Sequence, residues 1–455
     1  MKKTLHTMAL AIAITGLLAG AVGAQQIQTA APLTLEQCVT KAIAQAPELG
    51  EVQADIALMT SKLNEAKGYR APRIELTSLL GPAPGANKQD ITSYDSPFRL
   101  RDTTWFASTD LVVTQPLWTF GKISENMKAA SHGIEVDRSK KVQKVNEVTL
   151  EVKKYYYGLL LARELKSVVH ELQDFLETGR NKVQELLAKE SDATDQTDLY
   201  KIDAYAGEIN KYLEEAIKGE QLALAALKTR IGLPPKDLLL IADQRLAMPS
   251  SPLALHLDEY ITRARADRPE FRQLSEGIAA RGALVRAAKA EYYPDLFVAG
   301  MASWAFSDGR DRIDNPYITD RFQHAYAGVA LGLRWKLDFG ISSSKVAGEQ
   351  AQLDRLMSTR TYANQFIPLQ VTKAWLEMQE ASRTVTNAAH AYQSAKKWGA
   401  AALANFDFGI GSSRDVFEAV AIYGKMKAAH YQAIYDYRLA EANLDYAVGT
   451  STTKP

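Results

Sequence analysis

Histidine, cysteine and closely spaced acids are the side chains best suited to chemistry, and this 455-residue sequence uses them sparingly. Its seven histidines, at 6, 132, 170, 256, 324, 390 and 430, form no metal-ligand spacing. HExxH, P-loop and nucleophile-elbow motifs are missing, which points away from an enzyme and from any metal or cofactor. Cys38 is a lone thiol, expected as a small buried apolar residue in a helix. Asp415 and Glu418 are three residues apart, so a helix presents both on one face. Asp415 also suits a helix first turn, where an acid caps amides and favours the dipole. Asp198 suits the same position.

The elements that must position these acids come from an internal repeat. Pro47-Glu48-Leu49 matches Pro269-Glu270-Phe271, and Pro72-Arg73-Ile74 matches Pro294-Asp295-Leu296, both at the same offset. Phe120-Gly121 then matches Phe339-Gly340, Asp198 matches Asp415, and Ile231-Gly232 matches Val448-Gly449. These pairs keep their order with a slowly drifting offset, so the chain contains two copies of one unit. The expected divisions are a signal peptide at 1–24, a first repeat at 25–232, a proline-containing linker at 233–254, a second repeat at 255–449 and a tail at 450–455. The signal reading rests on Lys2 and Lys3, an apolar run from residue 8 to 18, and small residues up to Ala24.

Each repeat reads as a helix with a proline in its first third, two strands around a long polar loop, and two long helices. Proline is absent from 124 to 189, and Val145, Val148, Val152, Tyr155, Leu159 and Ala162 step by three and four. That seam implies coiled-coil packing. The second copy runs from 342 to 405 with Pro368 inside, which predicts a kink or a division. Return helices are expected over 213–231 and 415–448. From Ala325 to Leu337 the odd positions are apolar and the even ones small, aromatic or charged. Such alternation fits a strand with one face in lipid, as do 296–306, 104–116 and the shorter 74–80. Trp105, Trp118, Trp304 and Trp335 fall near strand ends, as interfacial aromatics do. Lys plus Arg (54) nearly equals Asp plus Glu (53), so no basic excess points to nucleic acid.

Four strands cannot close a barrel, which needs about eight. An open sheet in lipid would leave unpaired edges. The chains must therefore associate: two would give a narrow barrel filled by side chains, and three would supply 12 strands around a pore that continues into a helical tube. A soluble periplasmic coiled-coil structural protein is the alternative. It explains the seams but not the strands.

Several motifs in this order resemble the TolC-like outer-membrane efflux protein family over nearly the whole length. They are Leu33-Thr34-Leu35-Glu36-Gln37, Tyr69-Arg70-Ala71-Pro72, Gln115-Pro116-Leu117-Trp118-Thr119-Phe120-Gly121, Leu337-Asp338-Phe339-Gly340 and Ser413-Arg414-Asp415-Val416-Phe417-Glu418-Ala419. The resemblance implies an α+β membrane protein: a homotrimer with a 12-stranded β-barrel in outer-membrane lipid, continued by an α-helical coiled-coil barrel in the periplasm. It implies the channel of a tripartite efflux pump or type I secretion system, with a periplasmic adaptor and an inner-membrane pump as partners. It also implies a periplasmic aperture at the turns 190–197 and 408–413, involving Asp198, Asp415, Glu418, Arg414 and Phe406. In a trimer Asp415 and Glu418 would stack into acidic rings that attract cations and repel anions, and like charges that close should raise one another's pKa. The helix-cap role of Asp415 and Asp198 is the alternative. Gly409, Gly411, Ser412 and Ser413 would form adaptor-contact turns. The family often has tyrosine at the position of Phe406 and arginine at that of Gly411, where they latch neighbouring helices to an acid matching Asp198. Phe406 and Gly411 cannot form that latch; Arg414 would be the substitute, at a different helical position, so a resting state closed by that particular latch is not expected.

Overall fold

The computed structural model describes residues 31–85, 103–189, 194–247, 255–311, 317, 320–408 and 410–450. The expected signal segment, Gly409, much of both strand-connecting loops, and parts of the expected linker, the C-terminal tail and the turn at 190–197 lie outside the described residues.

The expected single N-terminal helix is two helices in each repeat. Helix α1 (Leu35–Gln45) stops at Ala46, and α2 (Pro47–Gly68) restarts on the proline; α5 (Leu257–Asp267) and α6 (Pro269–Ala290) do the same around Arg268. Ala46 and Arg268 are extended, at φ −66° with ψ 114° and 123°. Proline crowds the preceding residue out of the helical region but fits the first helical position itself, so it divides and starts a helix in one step.

Four strands follow the repeat order: β1 (Arg73–Pro84), β2 (Thr103–Trp118), β3 (Asp295–Ser307) and β4 (His324–Arg334). They form one antiparallel sheet in the order β1-β2-β3-β4, with a bulge between Pro116 and Trp118. The register joins the repeats, since β2 of the first pairs with β3 of the second. One face carries Ile74, Leu76, Leu80, Trp105, Trp304, Val329, Leu331 and Leu333, all exposed. The other carries Glu75, Thr77, Asp110, Ser303, Tyr326 and Arg334. A large apolar surface facing outward from an otherwise packed chain marks a partner or a membrane.

Phe120-Gly121 and Phe339-Gly340 turn the chain from the sheet into the long helices, all four residues with positive φ. Helix α3 (Lys122–Ala188) and α7 (Ile341–Asp407) each have 67 residues, about 100 Å of helix. The seam of α3 lies as its spacing predicts: Val148, Val152, Leu159 and Ala162 are buried, and Val145 and Tyr155 pack at the edge. Pro368 does not divide α7, which runs through it unbroken. Helices α4 (Gln196–Arg230) and α8 (Ser413–Val448) return toward the sheet, and α4 is a good four turns longer than its apolar seam suggested. The main core lies midway, where Val148, Tyr156, Leu159, Val371, Ile434 and Tyr437 meet α1, α5 and the linker. Leu239, Ile241 and Leu246 of the linker are buried, and Ile241 bridges to Leu33. Cys38 sits in this core, where burial pushes its thiol up to about 11. Tyr156 donates to Asp243 at 2.8 Å and its pKa is likewise raised by burial. Among the described residues no helix is long and apolar enough to cross a membrane.

Candidate functional site at the helical tip

The ends of α3 and α7 and the starts of α4 and α8 meet at the tip farthest from the sheet. Each return helix begins with a reciprocal cap. At α4, Asp195 accepts from the backbone N–H of Thr197 (2.7 Å) and Asp198 (3.2 Å), and the Asp198 carboxylate accepts from the Asp195 N–H. At α8, the Ser412 hydroxyl accepts from the Asp415 N–H (3.3 Å), while Asp415 accepts from the Ser412 N–H and hydroxyl, the latter at 2.8 Å. This is the capping-box spacing, with aspartate at the third position. Hydrogen bonding from Ser412 holds the Asp415 carboxyl below its usual range, and bonding from Thr197 does the same for Asp195. Within one chain the cap thus shifts Asp415 opposite to the rise expected from like charges.

The two acids at matching positions differ in surroundings. Asp198 is 5% exposed, and its Oδ1 accepts from the Ser413 hydroxyl (2.8 Å) and the Lys201 ammonium (3.0 Å). It therefore ties the start of α4 to the start of α8. Arg414, Asp415 and Glu418 are exposed on one side of α8, while Val416, Phe417, Ala419 and Val420 are buried on the other. Phe417 packs with Val183 and Ile202 and lies 6.2 Å from the Tyr205 ring. Phe406 is half-buried against Ala402, Val416, Ala419 and Val420.

Gly411 has a steric reason to be glycine. A β-carbon there would lie 3.2–3.3 Å from Asn405 and the Phe406 nitrogen. The N–H groups of Ile410 and Gly411 both donate to the Asn405 carbonyl, closing the end of α7. A side chain at 411 would require that turn to give by a few tenths of an ångström. Phe408 and Ile410 are about four-fifths exposed beside it (79% and 81%).

Sequence reasoning did not single out Asp195, Lys201 or Ser412's capping role, nor Ser413 as the partner of Asp198. The D-x-x-D and S-x-x-D spacings carried the caps; the Asp198–Ser413 contact joins residues far apart in sequence and had no local signal. Among the described residues no group of three or more His, Cys, Asp or Glu is placed to hold a metal ion.

Residues 260–450 match the model of the outer membrane efflux protein family. Several solved structures share the fold over nearly the whole chain. The outer membrane protein VceC of Vibrio cholerae is 13% identical at a TM-score of 0.73, over 91% of this chain and 96% of VceC. The CmeC outer membrane channel of Campylobacter jejuni is 16% identical at 0.73, over 92% of this chain and 86% of CmeC. The MtrE outer membrane channel of Neisseria gonorrhoeae, in its open state, is 14% identical at 0.74, over 91% of this chain and 88% of MtrE. No curated protein sequence matches the chain. The chain has the fold of TolC-like outer-membrane channels. Its second half matches the model of the outer membrane efflux protein family, and the first half repeats the same order of elements.

Proposed function

We infer that this protein is a subunit of an outer-membrane efflux channel whose helical part stands in the periplasm. The observation that carries this reading is the sheet: 11 to 16 residues per strand, one apolar face exposed, and both edge strands unpaired among the described residues. Strands that long can span a bilayer, and their open edges require neighbours. A homotrimer supplies 12 strands and a lumen lined by the polar face. The helices continue the tube beyond the membrane. The tip farthest from the membrane is the place for a periplasmic adaptor and, through it, an inner-membrane pump, in a tripartite efflux or type I secretion assembly.

At that tip, Asp415 and Glu418 ring the aperture, with Arg414 beside them. Asp198 and Phe406 hold the wall from within. The turn through Gly409, Gly411, Ser412 and Ser413 meets the adaptor. The exposure of Asp415, Glu418 and Arg414 supports the first assignment, and the buried Asp198–Ser413 pair supports the second.

Two measurements test this reading. The mature protein should need detergent for extraction and migrate as a trimer; a water-soluble monomer would reject the channel. In planar bilayers the wild-type channel should prefer cations, and D415A/E418A should lose a large part of that preference. Unchanged selectivity would reject the acidic rings while leaving the channel intact.

A further inference from the structure

The sheet holds a second polar construction, at the end opposite to the helices. The connection between β3 and β4 begins and ends with residues that lean back over the sheet. Arg310 pairs with Asp320 at 3.0 Å, with both side chains almost fully buried (8% and 3% exposed). The guanidinium also donates to the Pro84 carbonyl at the end of β1. It lies 5.1 Å from the Phe322 ring centre, and that ring meets Phe106 of β2 edge-on at 5.0 Å. Asp320 further accepts from the Phe322 N–H at 3.0 Å. His324 bridges the Asp320 carbonyl (2.9 Å) and the Ser303 hydroxyl (2.6 Å), and Ser303 donates to Asp110 at 2.5 Å.

The register fixes the side on which this happens. Phe106 and Asp110 alternate with Trp105 and Leu111, so they point away from the apolar face; Ser303 pairs with Asp110 and Tyr326 and shares their side. From Arg310 to Pro84 the contacts cross the sheet from β3 to β1 on the polar face. In a barrel with its apolar face in lipid, that is the lumen. Farther along the same face Ala299, Gly328 and Ala330 are small, Met301 lies among them, and Phe297 with Arg334 adds bulk again at the helical end. A buried, bidentate-capable guanidinium with an aromatic floor is a strong local fastening. An exposed loop mouth needs none.

We propose that residues 308–310 and 320–324 form an inward collar at the outer mouth of the lumen, fastened by Arg310 and Asp320, and that these residues set the size of solute the channel passes. The proposal rests on the outer-membrane channel reading. Three collars, one per subunit, face one another around the axis. Because a pore's throughput follows its narrowest and most charged ring, the collar is a determinant of selectivity separate from the periplasmic tip.

The test uses the full-length trimer in planar bilayers. R310A and D320A should each raise single-channel conductance by at least about twofold and admit a large hydrophilic solute that the wild type excludes. The charge-swapped R310D/D320R should return toward wild type. F322A removes the aromatic floor but keeps the ion pair, and it should raise conductance even if the charge variants assemble poorly. Variants that form channels at wild-type conductance and exclusion would overturn the collar alone. A wild-type protein that forms no channels would overturn the collar and the channel reading together.

Discussion

Asp198 and Asp415 stand at the same place in the two repeats, the third position of a return helix, and each closes a capping box there. One is buried against Lys201 and a serine from the other repeat; the other is exposed beside Arg414 and Glu418. The duplicated sequence preserved the local device and changed what lies around it. The first copy became a fastening between hairpins, and the second became surface. Phe120 and Phe339 diverge in the same way. Both precede a glycine with positive φ. Phe120 stacks on Tyr293 of the second repeat at 5.0 Å, whereas Phe339 is 99% exposed. In the proposed trimer the contact between repeats inside the chain would be the template for the contact between chains, and Phe339 would be the half of it left open.

The largest effect should come from the buried acid. D198A leaves the Ser413 hydroxyl and the Lys201 ammonium without their acceptor, at a cost of about 1–3 kcal/mol. Hydrogen exchange should show the α4 and α8 starts opening together, while the core around Tyr156 keeps its protection. S412A removes only a helix cap, roughly 1 kcal/mol, and should loosen α8 alone. Equal losses in the two variants, or loosening of α8 alone in both, would break the distinction between fastening and surface.

Next in size is the open phenylalanine. Stacked rings contribute about 0.5–1.5 kcal/mol beyond area burial, and a trimer would contain three such contacts. F339A should dissociate at lower temperature or detergent concentration than wild type on a heat-modifiable gel. F120A, whose ring packs within the chain, should instead lower the melting temperature of each subunit. A trimer indifferent to F339A would mean that the inter-chain contact does not copy the intra-chain one.

How far these features could be read in advance follows from how local they are. The seam of α3 and the alternation through β4 are set by neighbours within a few residues, and both were legible. Strand ends were not. The strand expected over 74–80 ends before Gly81 and Pro82, yet β1 continues to Pro84, paired with Thr103. An edge strand has one free side, where a missing proline N–H loses nothing within the chain. At the other end the alternation extended to Leu337, but β4 stops at Arg334 as the chain turns toward Phe339. The tip caps had a spacing signature, whereas Asp198 with Ser413 and Arg310 with Pro84 depend on register and helix pairing that no short window contains.

The smallest expected effect concerns pH, and it tests which influence governs Asp415. Its carboxyl is held low mainly by the Ser412 hydroxyl, so the charged form is favoured in the folded state. A depressed folded pKa means that the cap's contribution is fully present above the unfolded value, about 3.9, and is lost as pH falls through the lower folded value. With Glu418 replaced by glutamine, so that Asp415 is the acid being read, cation preference in planar bilayers should therefore be flat from neutral pH down to about 5 and decline only below about 4. S412A should move that decline upward toward the ordinary aspartate range. If selectivity in the E418Q channel already fell between about pH 6 and 5, repulsion among the acids of adjacent copies would outweigh the cap. Asp415 would then behave as a crowded ring of charges, and its kinship with the capped Asp198 would end at the backbone.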